Sequence, residues 1–408
     1  MILSQMNKSK TGKRFFPIIT IAFCILSSCW KSSTIPSPEI LWSKTYGGSG
    51  SDKAYAIEQT SDGGYVLVGE TYSFGLGWSD VYIIKTDANG KLIWQKVYGG
   101  TYYDVGRAIQ RTVDNCYIIA GSTNSFGLNP VYYDYDVYLM KIDPQGDTLW
   151  TKTYGGIYDD KGFAVQTTGD NGYLVVGCTY SFGAGENDIY LIKTDAAGDI
   201  IWTKTYGNSY NNIGYDIQKT SDGGYIIIGF SEPNGLDSDI YLLKIDGDGN
   251  MIWSKTFGGE YNEVGSSIKE TPDKGYIFTG ETWSFGKGTP YASNVDLLKV
   301  DQNGLGLWGD TYGGANNDAG YFVQSTSDQG YIIIGYTSSF GTEGDIYLMK
   351  LDENGDSLWT THYEGNGNDI GFALIETLDG GYIIAGYTNS FGAGDYDVYL
   401  IKTTSETE

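Results

Sequence analysis

The stretch Lys85–Gly100 reads "KTDANGKLIWQKVYGG". Close copies begin at Lys141, Lys193, Lys244 and Lys350: "KIDPQGDTLWTKTYGG", "KTDAAGDIIWTKTYGN", "KIDGDGNMIWSKTFGG" and "KLDENGDSLWTTHYEG". Two further copies are incomplete. "ILWSKTYGG" from Ile40 holds only the second half, and "LIKTTSETE" from Leu400 holds only the first. A unit divided between the two ends of the chain makes sense if those ends meet.

Working outward, the unit tryptophans Trp42, Trp94, Trp150, Trp202, Trp253, Trp308 and Trp359 are spaced 52, 56, 52, 51, 55 and 51 residues apart. Such a period signals a repeat architecture. Between tryptophans the order is fixed: an "AI-x-x-T" segment, a turn such as "SDGG", an apolar run such as "YIIIG", then "T-x-SFG" and a loop, "DVYLIK", and "D-x-x-G". The runs are short, rich in Ile, Val, Tyr and Thr, and bounded by Gly, Asp and Asn, which is the pattern of strands. No apolar period of 3.6 persists, so helices are expected to be nearly absent. "SDGG" and "DANG" supply the positive φ that tight hairpins need. They define strands A and B (AIxxT to YIIIG) and C and D (DVYLIK to LIWxKTYG). The B runs are apolar at consecutive positions, as in strands buried on both faces. The D strands carry Lys, Gln and Thr, which suits an exposed sheet edge.

Each unit is thus a four-stranded sheet running A to D from inside to outside. Seven of them make an all-β, seven-bladed β-propeller. Strands A to C of the seventh blade fall at Gly371–Thr403, and its missing D strand is Ile40–Gly47, so the N-terminal strand closes the ring. An open solenoid would need polar capping ends, and neither end carries one.

The chain divides into residues 1–28, 29–39, 40–403 and a polar tail, 404–408. Lys8, Lys10, Lys13 and Arg14 precede an apolar run from Phe15 to Leu26. A basic segment and a short apolar core read as a secretory signal; the run of about 12 residues is short of the roughly 20 that span a bilayer. "LSSC", Leu26–Cys29, resembles the lipobox of bacterial lipoproteins. That resemblance implies cleavage before Cys29, lipidation of Cys29, and export to a bacterial membrane, with the outer membrane or cell surface favoured by Trp30 at the next position. More than one acyl chain makes a stable anchor. "WKSSTIPSPE", Trp30–Glu39, reads as a tether.

Residues 1–28 hold four basic and no acidic residues, so the rest of the chain keeps 22 of its 26 Lys and Arg against 50 Asp and Glu, a net charge of −28. A nucleic-acid partner is excluded by that sign. Cys116 and Cys178 lie at unrelated points of the repeat and form no disulfide framework. One histidine, His362, is too few for a multi-His metal site, and its place in an outer strand does not suit the base of a triad.

The unit "TSDGGYIIIG…SFG…DVYLIK-D-x-x-G-x-x-x-W-x-K-T-Y-G-G" resembles the β-propeller repeats of secreted and lipid-anchored bacterial and archaeal proteins, over the whole mature domain. "KTDANGKLIW", Lys85–Trp94, is also similar to the tryptophan-docking repeat of quinoprotein propellers and of an outer-membrane assembly lipoprotein. Those rings have eight blades as a rule, and the quinoprotein enzymes use a vicinal cysteine pair and a metal site that this chain lacks. Fold likeness does not carry function.

The face made by the D–A and B–C loops, around the channel, is where a ligand is expected. Asp52, Asp104, Asp160, Asn212, Glu263, Asp318 and Asp369 share one position just before strand A. Seven acceptors near an axis could hold a cation, or each could cap its own loop; recurrence in every blade favours capping. The B–C loops of blade 2, "FGLNPVYYDYD", and blade 5, "FGKGTPYASN", are longer than the others, and blade 4 replaces SFG with "SEPNGLDSD". They bring Tyr132, Tyr133, Tyr135 and Tyr291, with Trp78 and Trp283 in related loops. On a seven-blade ring these loops should flank the channel mouth, where aromatic faces and carboxylates suit sugar or peptide recognition; neutral loop drift is the competing account. "DGDGN", Asp246–Asn250, lacks the sixth-position Gly and later Glu of a calcium loop. No GxSxG, P-loop, HExxH or CxxC occurs. The reading is therefore a monomeric, membrane-anchored, non-enzymatic binding or assembly scaffold for a protein or glycan, with no catalytic residue, cofactor or metal assigned. A glycan-active enzyme using channel carboxylates is the alternative, and a quinone-dependent oxidoreductase a more distant one.

Overall fold

The computed structural model describes residues 7–8, 14–15, 36–127, 134–341 and 343–406. Seven antiparallel sheets, each with strand order A-B-C-D, stand around a central axis. Blade 1 is typical: Asp52–Gln59, Tyr65–Thr71, Asp80–Thr86 and Leu92–Tyr98. The described residues contain no helix. Blade 7 takes strands A to C from Asp369–Glu376, Tyr382–Thr388 and Asp397–Thr403, and strand D from Ile40–Tyr46. Its inner strand thus begins two residues before the expected Gly371, because Asp369 already pairs with Thr388. Tyr46 faces Val398 and Ile40 faces Thr403, so the two ends are joined by a ladder along the whole strand, interrupted only by a bulge at Leu41. Asn7–Lys8 and Arg14–Phe15 form two short strands beside strand D of blade 5, with Arg14 opposite Gly309.

Strands B and C are buried along their length in blades 1 to 3 and nearly so in the others, the seven residues Tyr65–Thr71 and Asp80–Thr86 among them. Neighbouring blades interdigitate these residues into seven clusters rather than one central core; one joins Leu67 and Ile84 of blade 1 to Ile383 and Leu400 of blade 7. The D strands are largely exposed, as expected of an outer edge.

The unit tryptophan is an inter-blade dock. A Cβ on Gly90, in the C–D turn of blade 1, would lie 2.6 Å from the Trp42 ring of blade 7. Trp94, Trp150, Trp202, Trp253 and Trp308 sit in the same way on Gly146, Gly198, Gly249, Gly304 and Gly355 of the next blade. The strand-D tyrosine adds a hydrogen bond to that glycine's carbonyl: Tyr154 hydroxyl to Gly198 oxygen, 2.6 Å, and Tyr312 to Gly355, 2.6 Å. At the blade 6–7 boundary there is no C–D turn, because the chain is cut there. The incoming segment takes its place, and Tyr363 donates to the Pro38 carbonyl at 3.1 Å.

The A–B and C–D turns form what we call the lower end. Here the last residue of "DVYLIK" recurs as a buried lysine. Lys350, at 1% exposure, donates to Thr326 Oγ1 at 2.6 Å and Asp328 Oδ1 at 2.7 Å. Lys85, Lys141, Lys193, Lys244, Lys299 and Lys402 make the same ion pair with Asp62, Asp114, Asp170, Asp222, Asp273 and Asp379.

Candidate functional site

The D–A and B–C connections form the upper end. Its shape starts from a defect in the inner strand. In every blade the A–B register slips by one residue: Ala54 faces Gly69 but Ala56 faces Val68, leaving Tyr55 unpaired. A β-bulge of this kind re-aims the extra side chain. Strand B makes room with its glycine, where a Cβ on Gly69 would lie 1.8 Å from the Lys53 carbonyl oxygen. The bulged residues are Tyr55, Arg107, Phe163, Tyr215, Ser266, Tyr321 and Phe372, and all seven line the channel.

Five are aromatic and they pack on one another. Tyr321 stacks on Phe372 with centroids 4.9 Å apart, Phe372 meets Tyr55 edge-on at 5.3 Å, and Phe163 meets Tyr215 at 5.1 Å. The Arg107 guanidinium lies over the Tyr55 ring, 4.1 Å from its centroid. A cavity of about 420 Å³ lies on the lower side of this ring and one of about 440 Å³ on the upper side, with Tyr55, Arg107 and Phe163 lining both.

The upper cavity is a cup off the axis, against blades 1 to 3. Tyr72, Tyr103 and Tyr135 form its wall and Tyr55 and Phe163 its floor, with Lys53, Arg107, Lys161 and Glu70 set among them. Tyr55 donates its hydroxyl to Glu70 Oε1 at 2.5 Å, and Lys53 lies 3.8 Å from the same carboxylate. Lys161 pairs with Asp159 at 2.8 Å and sits 4.7 Å from the Tyr135 ring centre. Arg107 has no carboxylate partner among the described residues. Burial pushes the Tyr135 hydroxyl up to about 12 and Tyr55 further still, so both remain protonated donors at neutral pH. Burial also raises Glu281, which projects near Tyr215 and Tyr321, to about 7.

Of the residues singled out in the sequence, Tyr135 lines the cup, and Trp78 lies at its rim, 5.7 Å from Tyr103. Tyr132 and Tyr133 lie outside the described residues. Tyr291 is 93% exposed, and neither it nor the half-buried Trp283 is among the lining residues. The blade 5 loop therefore does not help to build this cup.

The seven-membered ring of acceptors resolves as loop caps. Asp52, Asp104, Asp160, Asn212, Glu263, Asp318 and Asp369 are the first residues of the A strands and are buried at 0–1% exposure. Asp52 accepts the Gly48 N–H at 2.8 Å and the Ser73 hydroxyl at 2.6 Å. Ser73 is the serine of SFG, and it in turn accepts the Gly50 N–H at 2.8 Å. Asp104, Asp160 and Asp318 repeat this with Ser125, Ser181 and Ser339. Glu263 bonds Gly259 N–H and Thr282, Asp369 bonds Ser390, and Asn212 accepts from Ser231. No cluster of three metal-ligating side chains occurs among the described residues.

The bulge ring and the cup's cations were not foreseen. Their signal is the fourth place of the inner segment, which varies as Y, R, F, Y, S, Y, F directly after a third place that is Ala or Gly in every blade.

No known family profile matches the chain. The regulatory protein FlaEY of Caulobacter vibrioides is 28% identical over 330 residues, covering 73% of this chain and 32% of that protein. The chain spans about a third of the length of the curated relatives it matches, 32% and 30%. Among solved structures, the polysaccharide lyase Uly1 aligns at TM-score 0.54 and 12% identity over 88% of this chain and 91% of that one. BBS1N, solved in complex with ARL6DN, aligns at 0.52 and 11% identity over 91% and 98%. At such identities these likenesses show the propeller fold alone.

Proposed function

We propose that this chain is an exported, lipid-anchored propeller of the bacterial envelope or cell surface that serves as a non-enzymatic binding or assembly scaffold. Ligand is taken at the upper end. The observation that carries this reading is the cup, where four tyrosines and three cations converge at the channel mouth of an otherwise strongly acidic chain. Energy at recognition surfaces concentrates in such Tyr and Arg side chains. FlaEY, a regulatory protein, and BBS1N, in complex with another protein, are consistent with propellers of this kind acting through binding. The ring carboxylates do not favour an enzyme, since each bonds loop N–H groups or hydroxyls through at least one oxygen; among the described residues of the cup, Glu70 with Tyr55 is the acid–hydroxyl pair that an enzyme could use.

A glycan and peptide array, with turnover measured in parallel, tests the reading. A ligand should be bound unchanged, and Tyr103→Ala or Tyr135→Ala should weaken it at least about fivefold. Cleavage of a bound sugar, abolished by Glu70→Gln, would replace the scaffold with an enzyme. The anchor is tested separately. A fatty-acid analogue should label the chain through Cys29, and label retained in Cys29→Ser would contradict lipidation.

A further inference from the structure

We infer that the upper cup is a site for a carboxylate-bearing sugar, with Arg107 as its anion receptor. This rests on the binding reading above and names the ligand class. Three cations face the cup, and two are already matched: Lys53 by Glu70 at 3.8 Å and Lys161 by Asp159 at 2.8 Å. Arg107 is the surplus. Its guanidinium lies over the Tyr55 ring, 4.1 Å from the centroid, with no described carboxylate within ion-pair distance. That is a costly arrangement in a chain of net charge −24 that has acidic residues to spare. A planar guanidinium offers a fork of N–H donors matched to a carboxylate, and its place over the Tyr55 ring pre-positions it.

The remainder of the cup is suited to a sugar ring. Tyr72, Tyr103 and Tyr135 present flat apolar faces for ring C–H groups, and their hydroxyls, Ser79 and Glu70 offer hydrogen bonds for sugar hydroxyls. The volume of about 440 Å³ falls in the small-ligand range. The packed aromatic side chains beneath narrow the channel, which favours a compact ring or chain end over an extended strand.

The test is calorimetric titration of the full chain with digalacturonate, its methyl ester, a neutral galactose disaccharide, and an acidic peptide with a free C-terminus. Digalacturonate should bind, and the ester and neutral sugar should bind at least about tenfold more weakly. Arg107→Gln should lose about tenfold or more for digalacturonate and nothing for the ester. Arg107→Lys should recover only part, because charge without the fork is insufficient. Thermal midpoints of all variants are measured alongside, so that misfolding is not read as lost binding. Equal affinity for acid and ester, or full affinity in Arg107→Gln, overturns the inference. Binding of the peptide alone, or of a neutral array glycan lost in Tyr103→Ala, also overturns the ligand class while leaving the binding reading standing. If no array ligand depends on Tyr103 or Tyr135, the binding reading itself fails.

Discussion

The two ends of each blade treat carboxylates in opposite ways. At the lower end every A–B turn aspartate has a buried lysine. Asp62 is held down to about 2 by hydrogen bonds from Thr60 and Lys85, and Asp114 to about 2 by Lys141 and Thr112. At Asp222, Asp273 and Asp379 partial burial pulls upward, but the threonine and lysine hydrogen bonds outweigh it, again to about 2. At the upper end the carboxylates that open strands A and C are more deeply buried and are bonded by hydroxyls and N–H groups, whereas Glu70 and Asp159 at the cup face Lys53 and Lys161. Asp80 is raised by burial and by the charge of Asp104, and Asp188, Asp239, Glu263, Asp345 and Asp369 are raised chiefly by burial. The lower end repeats its ion pair seven times without exception. The upper end varies its loops and gathers unlike residues at one side of the axis. Regularity at one end stabilises the ring, and irregularity at the other makes a site.

That contrast can be broken experimentally, and the lower end should yield the largest effects. Deleting residues 36–47 removes the closing strand and its tryptophan dock, so cooperative thermal unfolding should disappear. A truncated chain with an unchanged transition would mean that the ring does not depend on closure. Trp42→Ala should cost about 3 kcal/mol by denaturant titration, at the lower edge of the range for large aromatics because Trp42 is only partly buried. Asp328→Ala leaves Lys350 buried without its carboxylate and should cost about 2–4 kcal/mol, tempered because the Asp328 side chain is 50% exposed. Lys350→Met, which removes the buried charge itself, should cost less.

Acid titration sharpens the comparison by sign. A carboxyl raised in the folded state stabilises below its unfolded pKa near 4 and loses that contribution as pH rises through the folded value, which for Glu281 is about 7. A lowered carboxyl stabilises above about 4 and loses its contribution as pH falls toward 2. The thermal midpoint should therefore be highest near about pH 4–5, decline gently to about pH 8, and drop steeply below about pH 4. A midpoint that rises steadily from pH 5 to 8 would contradict the raised carboxyls. The smallest effect belongs to the A–B turns. Lys274 and Gln329 hold φ of 67° and 72° where Gly63, Gly223 and Gly380 stand in other blades, so Gln329→Gly should stabilise by about 0.5–1 kcal/mol.

The blade count, strand order and joining of Ile40–Tyr46 to the seventh blade were legible because they rest on period and on a divided unit. Capping by Asp52 and its equivalents was legible too, since a residue needed once per blade answers to the blade. The cup was not. Tyr55 and Arg107 sit at bulges, where the period-two rule for side-chain direction fails, and long loops drew attention to Tyr291, which length alone did not bring to the channel. The lysine of "DVYLIK" carries no signal of its own in the sequence; its partner lies in another turn, Lys85 to Asp62, and only the folded blade brings the two together.

Lysine acetylation read by mass spectrometry, with and without saturating digalacturonate, compares the two ends in one measurement. Lys53 and Lys161 in the cup should be protected, while Lys91 and Lys274 in the lower turns react as before. Protection of Lys91 or Lys274 with Lys53 and Lys161 unchanged would place recognition at the wrong end of the ring and contradict the assignment of the upper cup as the site.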